Sequence, residues 1–269
     1  MNNRYQQCFA NLKQNSQGAF VPFVMLGDPD LACSYRIITR LIDSGADALE
    51  LGIPFSDPIA DGPVIQAASI RALKNGATVE KCLQLIASIR RDYPLLPIGL
   101  LVYSNLVVAN SIESFYAKVE QAGVDSVLVA DVPILESEKF RAAAHKHHIQ
   151  PIFIATPNAS VDTLKKIAEN SQGYTYLLSR AGVTGSEVKA EMPVEGIIQS
   201  LKSYSAPPGL LGFGISTPEQ VKQAIACGAD GVISGSAIVK LIAQHLQDEN
   251  QMLNELGNFV RKMKQATNH

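Results

Sequence analysis

The 269 residues predict an α/β fold, a (β/α)8 barrel of the TIM type in one domain over 1–269, with an extra helix ahead of its first strand. Three observations carry this reading. Short runs rich in Val, Ile and Leu alternate with longer amphipathic stretches along the whole chain, which is the pattern of βα units around a parallel sheet covered on both faces. One junction recurs as Gly45-Ala46-Asp47, Gly123-Val124-Asp125 and Gly228-Ala229-Asp230, each ending a helix and opening a strand, with a glycine suited to a left-handed helix cap. No linker or low-complexity segment breaks the series, and about 250 residues is the usual size of such a barrel. A doubly wound open sheet is the structural alternative.

Taken in order, Tyr5, Cys8, Phe9 and Leu12 fall at i, i+3, i+4 and i+7, one face of a helix packed on the barrel. The strands read as Phe20–Leu26, Ala48–Ile53, Ile98–Tyr103, Ser126–Ala130, Ile152–Ala155, Tyr174–Ser179, Leu210–Phe213 and Gly231–Ser234. Between them lie helices such as 111–121, where Ile112, Phe115, Tyr116 and Val119 share a face.

Composition removes several partner classes. A formal charge of −2 leaves no footprint for nucleic acid or an anionic membrane. Cys8, Cys33, Cys82 and Cys227 are scattered without a CxxC pair, which fits a reducing compartment. The N-terminus lacks a signal pattern, and the most apolar stretch, Pro97 to Val108, is interrupted by Tyr103, Ser104 and Asn105 and is too short to span a bilayer. A cytoplasmic protein is expected.

Barrels of this type act at the carboxyl ends of their strands. There the sequence puts carboxylates: Asp28 after the first strand, Glu50 on the second, Asp57 and Asp61 in the loop that follows, and Asp131 after the fourth. Histidine and lysine are absent from all eight predicted strands, and the nearest lysine to the mouth is Lys189, in a loop. An imine mechanism needs a lysine in the pocket, and a catalytic metal normally needs histidines or clustered carboxylates. His145, His147 and His148 lie together on a helix, on different faces, and read as a solvated surface; His245 lies on another helix. Neither a metal nor an imine is expected.

In Ala48-Leu49-Glu50-Leu51-Gly52-Ile53 the alternation puts Glu50 on the face opposite the bulky residues, aimed into the barrel mouth, where burial raises a carboxyl pKa toward acid–base use. The plainer alternative is a buried carboxyl satisfied by backbone or hydroxyl donors. Asp61 sits in the proline-rich loop 54–63 and reads either as a catalytic group or as a turn or cap aspartate. Gly212-Phe213-Gly214 and Gly235-Ser236, after the last two strands, occupy the positions where barrels hold phosphate on glycine amides and a helix N-terminus. Loop 180–193 carries Gly182 and Gly185 and is long enough for a lid or binding segment, with plain surface disorder as the alternative. Phe23, Leu101, Tyr103, Leu128, Ile154, Tyr176 and Phe213 give the mouth an apolar lining suited to an aromatic substrate with a phosphorylated tail.

The segments FVPF at 20–23, LGDPD at 26–30, DALELGIPFSDPIADGP at 47–63, VDSVLVADVP at 124–133, YLLSRAGVTG at 176–185, GFGIS at 212–216 and ISGSAIVK at 233–240 resemble the tryptophan synthase alpha chain family, essentially from end to end. The resemblance implies retro-aldol cleavage of indole-3-glycerol phosphate to indole and glyceraldehyde 3-phosphate, by the alpha subunit of an α2β2 enzyme of L-tryptophan biosynthesis. It implies no cofactor in this chain and pyridoxal phosphate in the beta chain. Carried onto matching positions, Glu50 becomes the acid–base group and Asp61 the partner of the indole nitrogen. Gly185, Gly214, Gly235 and Ser236 become phosphate donors, and Phe23, Leu101, Tyr176 and Phe213 line the indole pocket. Thr184 would close onto Asp61, and Pro54, Asp57 and Pro58 would meet the beta chain. The rival readings are another phosphate-binding barrel isomerase, which has no need of the whole 49–63 segment, and a catalytically silent barrel that only activates a partner.

Overall fold

Parallel strands with no water-facing edge must close on themselves, and a computed structural model describing residues 3–178 and 194–268 shows how they do so. The strands are β1 (Ala19–Met25), β2 (Leu49–Gly52), β3 (Ile98–Val102), β4 (Ser126–Val129), β5 (Gln150–Pro151), β6 (Ile154–Ala155), β7 (Thr175–Leu178), β8 (Gly209–Gly212) and β9 (Gly231–Ser234). Their hydrogen-bonded order is β5-β4-β3-β2-β1-β9-β8-β7-β6, every pairing parallel. Because β5 and β6 are consecutive in the chain, the two ends of this order meet and the ring closes.

In place of the single strand expected at 152–155 there are two short pieces, 150–151 and 154–155. The first pairs with β4 and the second with β7. Pro151 has no N–H to give a ladder, and the ladder resumes through Ile152 N–H to Val127 O at 3.1 Å on one side and Tyr176 N–H to Phe153 O at 3.0 Å on the other.

Outside the ring run α1 (Arg4–Gln14), α2 (Leu31–Asp43), α3 (Pro63–Lys74), α4 (Val79–Asp92), α5 (Ser104–Val108), α6 (Ile112–Gln121), α7 (Glu138–Lys146), α8 (Val161–Asn170), α9 (Val194–Ser203), α10 (Pro218–Ala226), α11 (Ser236–Gln244) and α12 (Glu249–Gln265). Local signals start several of them. Asp30 and Ser111 cap α2 and α6, and Thr217 and Gln220 form a reciprocal capping box on α10. No helix among the described residues is long and apolar enough to cross a membrane.

The recurring Gly-x-Asp junction does more than end a helix. Gly45, Gly123 and Gly228 have φ of +111°, +83° and +92°, the conformation expected of a helix-terminating glycine. Each aspartate then grips the preceding strand twice. Asp47 N–H donates to Phe20 O at 3.0 Å, and Phe20 N–H donates to the Asp47 carboxylate at 2.8 Å. Asp125 does the same with Ile98, at 2.8 Å both ways, and Asp230 with Gly209, at 2.9 and 2.8 Å. Sequence reading found the repeat but not this use of the carboxylate.

Two of these aspartates also recruit cations. Lys264 of α12 lies 2.9 Å from Asp47, while Arg4 of α1 and Arg90 of α4 lie 2.7 and 2.6 Å from Asp125. The extra N-terminal helix is thereby fastened under the barrel. There Tyr5, 2% exposed, shares a 2.9 Å hydrogen bond with Ser126 Oγ and packs on Tyr174 at a ring separation of 5.5 Å.

Replacing Asp125 by Ala should cost about 3 kcal/mol of stability, since it strands a mostly buried Arg90 guanidinium and orphans the Ile98 N–H. Urea unfolding checks it, and a loss below about 0.5 kcal/mol would mean that the strand pairing alone holds this end of the barrel.

Candidate active site

Strand register places the predicted carboxylate beside Phe23, with Leu101 two residues further along the ladder. Phe23 of β1 pairs with Glu50 of β2, and Gly52 of β2 pairs with Leu101 of β3. Two glycines leave room for the aromatic lining. A Cβ on Gly52 would lie 2.9 Å from Phe23 Cζ, and one on Gly212 would lie 2.1 Å from the Tyr176 hydroxyl. Phe23 and Tyr176 are buried, and Leu101 and Phe213 are half-buried.

Glu50 is 1% exposed, and its Oε1 accepts a 2.9 Å hydrogen bond from the Tyr174 hydroxyl. Burial pushes its carboxyl up to about 7, and the Tyr174 bond only partly offsets this. The side chain faces the interior as the alternation required. Its carboxyl, however, is held by a residue immediately ahead of β7, where Tyr174 in turn rests on Tyr5, rather than standing free at the mouth. Sequence reasoning missed Tyr174. The available signal was that Tyr174 and Tyr176 are two apart on one strand face, so that an inward Tyr176 implies an inward Tyr174.

Asp61 is half-buried in the loop between β2 and α3. Burial raises its carboxyl to about 6, opposed by a hydrogen bond from the Tyr103 hydroxyl, which itself accepts from Ala60 N–H at 3.1 Å. Asp61 N–H bonds Pro58 O at 3.0 Å, so the turn expected of Asp-Gly-Pro is also present. Pro54 is buried, Pro58 half-buried and Asp57 exposed beside Ser56.

The other mouth carboxylates have structural work. Asp28, 2% exposed, takes both forks of Arg71 at 2.8 Å. Asp131 accepts from the N–H and hydroxyl of Ser104 at 2.7 Å each and so caps α5. The histidines are not simply solvated. Each ring nitrogen of His147 lies 2.9 Å from a carboxylate oxygen, of Glu120 and of Glu113, and His148 also meets Glu120, which braces the end of α7 against α6. These carboxylates raise the His147 pKa.

At the ends of β8 and β9, Phe213 and Gly214 have φ of +77° and +80°. For a phenylalanine that backbone costs on the order of 1–3 kcal/mol, the kind of strain that collects at ligand clamps. A Cβ on Gly214 would meet nothing within 4 Å. Gly235 immediately precedes α11, whose first residue is Ser236, and it lies against Phe23. Ser234 Oγ donates to Ile215 O at 2.7 Å, tying the two loops to each other. Thr184, Gly185 and the rest of the expected lid lie outside the described residues.

A statistical description of the family named Tryptophan synthase alpha chain matches residues 9–268. The chain is 60% identical over 264 residues to the tryptophan synthase alpha chain of Shewanella oneidensis, covering 98% of this chain and 95% of that one. The same identity and length hold for that of Vibrio parahaemolyticus, with 98% of each covered. Among solved structures it is similar to tryptophan synthase subunit alpha from Legionella pneumophila, with a TM-score of 0.89, 30% identity and 99% of each chain covered. A Mycobacterium tuberculosis tryptophan synthase structure matches with a TM-score of 0.89 at 27% identity over 100% of both chains.

The chain belongs to the tryptophan synthase alpha chain family. It is a lyase of tryptophan biosynthesis that cleaves indole-3-glycerol phosphate in the alpha reaction. Burial raises the carboxyls of Glu50 and Asp61, to about 7 and about 6, and those of Asp28 and Asp47 as well.

The Glu50 carboxyl also bears on stability. Glu50 titrates near 4.5 when unfolded and near 7 when folded, so the folded state binds its proton more tightly. Its penalty is absent below the unfolded value and grows as pH rises through the folded one. Glu50→Gln should therefore be more stable than the parent at pH 8, by at most about 3 kcal/mol, with the gain shrinking toward pH 5. Thermal melts of both proteins across this range check it; a gain independent of pH would point to packing instead.

Proposed function

We propose that Glu50 and Asp61 divide the alpha reaction between them. Asp61 accepts the indole N–H hydrogen bond and stabilises the positive charge that develops when C3 of the ring is protonated. Glu50 carries protons between the glycerol hydroxyl next to the ring and C3. The carbon–carbon bond then breaks, its electron pair returning to the indole while the hydroxyl-bearing carbon leaves as the aldehyde of glyceraldehyde 3-phosphate. Protonation at C3 makes the indole itself the electron sink, so the scheme routes no step through an imine or a metal.

The observation that carries this reading is the buried Glu50 carboxyl, lifted to about 7 and held by one hydroxyl. A group that is part proton donor and part acceptor at neutral pH suits a two-way shuttle. Phe23, Leu101, Tyr176 and Phe213 would sandwich the indole. Gly214, Gly235 and Ser236, with Gly185 from the lid, would offer amides and a helix N-terminus to the phosphate. Thr184 would reach Asp61 when the lid closes and excludes water.

The same reading gives the chain a beta-chain partner in an α2β2 cytoplasmic enzyme, with pyridoxal phosphate held by the beta chain. Pro54, Asp57 and Pro58 would form part of the contact. An exposed apolar rim supports it, since Ile59, Val108 and Leu135, at 76%, 47% and 68% exposure, crown three consecutive strand ends beside that loop. A partner gripping the 54–60 tip would shift Asp61 directly and favour the closed lid, coupling assembly to catalysis.

Glu50→Gln and Asp61→Asn should each stay folded and lose on the order of 10² to 10⁴-fold in indole release, Glu50 more severely. A Glu50→Gln enzyme within about tenfold of the parent would overturn the assignment. Asp57→Ala should reduce the stimulation by added beta chain more than it reduces the basal rate. Equal proportional losses in the presence and absence of the beta chain would assign Asp57 to the site itself.

A further inference from the structure

Helix α3 begins at Pro63, two residues after Asp61, and its polar side chains hold both ends of the loop that carries it. Gln66 Nε2 donates to Asp61 O at 2.8 Å, which fixes the far end. At the near end the Ser69 hydroxyl accepts from Phe55 N–H at 2.9 Å and donates to Phe55 O at 3.1 Å, engaging both backbone groups of one residue. Two residues further on, the buried Arg71–Asp28 fork ties the helix to the end of β1. The helix is thus a fixed base, and the loop hangs from it at two points.

Ser69 is 1% exposed and lines no part of the mouth, and no step of the alpha reaction requires it. Its grip nevertheless leads to the chemistry. The Phe55 ring stacks on Tyr103 at 5.6 Å with an interplanar angle of 29°. The Tyr103 hydroxyl then accepts from Ala60 N–H at 3.1 Å, one residue before Asp61, and lies near enough to the Asp61 carboxyl to lower its pKa. Four residues, Ser69, Phe55, Tyr103 and Asp61, therefore form one contiguous line from helix to carboxylate.

We propose that Ser69 is a positioning residue for the alpha reaction, setting the orientation of the Asp61 carboxylate through the Phe55–Tyr103 stack. A serine that satisfied only its own hydrogen-bonding needs would commonly bond back to the carbonyl four residues earlier in its own helix. This one instead reaches off the helix to clamp the first turn of the loop. Because the loop tip between Phe55 and Asp61 is exposed, the clamp is also the point about which a displaced tip would pivot. The proposal rests on Asp61 being the acceptor of the indole N–H.

The test is steady-state cleavage of indole-3-glycerol phosphate by the full chain carrying Ser69→Ala, Ser69→Thr, Tyr103→Phe, Ser69→Ala with Tyr103→Phe, and Asp61→Asn, with thermal melts to establish folding. Ser69→Ala should lower kcat about tenfold with KM changed less than about twofold, the signature of a misplaced group that acts mainly in the transition state. Ser69→Thr keeps the hydroxyl and should recover most of the rate. On the Tyr103→Phe background the serine substitution should cost no more than about twofold further, because both act through the same carboxylate. A folded Ser69→Ala chain with the parental kcat, beside an inactive Asp61→Asn, would overturn the proposal while leaving Asp61 in its role. So would a loss on the Tyr103→Phe background as large as on the parent. An active Asp61→Asn would remove the reading of Asp61 and the proposal together.

Discussion

A carboxylate almost fully removed from water, bonded by the Tyr174 hydroxyl among the described residues, is the condition around which the upper half of this barrel is organised. Glu50 is buried between Phe23 of β1 and Gly99 of β3, and a charge there is disfavoured by several kcal/mol before any partner is counted. The ring tolerates it because β2 is paired on both sides, with β1 and with β3, and because Tyr174 supplies a donor at 2.9 Å. A carboxyl kept there at the expense of stability points to chemistry, in line with the tendency of strongly shifted groups to mark functional sites.

The two ends of the barrel divide the labour. At the amino-terminal end of the strands, polar groups are matched closely: aspartates grip strand backbones, Arg4, Arg90 and Lys264 neutralise two of them, and Tyr5 closes the floor. At the other end, Phe213 holds a strained backbone and the Asp61 loop hangs from a few side-chain contacts. The stable floor allows the mouth to carry strain and a raised carboxyl pKa, and the Tyr5–Tyr174–Glu50 line physically joins the two.

The extra helix belongs to this arrangement. Its apolar stripe was legible in the spacing of Tyr5, Cys8, Phe9 and Leu12, but its attachment depends on Arg4 reaching Asp125 across 121 residues of chain. Helix α3 plays the matching part at the top, where Ser69, Gln66 and Arg71 make a rigid bracket out of what sequence alone shows as an ordinary amphipathic stretch.

Sequence by itself determined the order of strands and helices, the closed parallel architecture, the inward face of Glu50 and the family. These are local properties: period-two alternation, helical spacing, a glycine at a helix end and long unbroken motifs each need only a short window of chain. It placed one strand as a single piece at 152–155 where the structure has two short ones, 150–151 and 154–155, and it read Asp28, Asp131 and the histidines by type rather than by partner. What only the tertiary structure decided is who meets whom. Tyr174 holds Glu50 from 124 residues away, Arg71 holds Asp28 from 43 and Ser69 holds Phe55 from 14. A hydrogen bond between side chains on different elements leaves no periodicity in either, because it depends on the rotation and register at which the ring closes, and those are settled by the packing of the whole barrel.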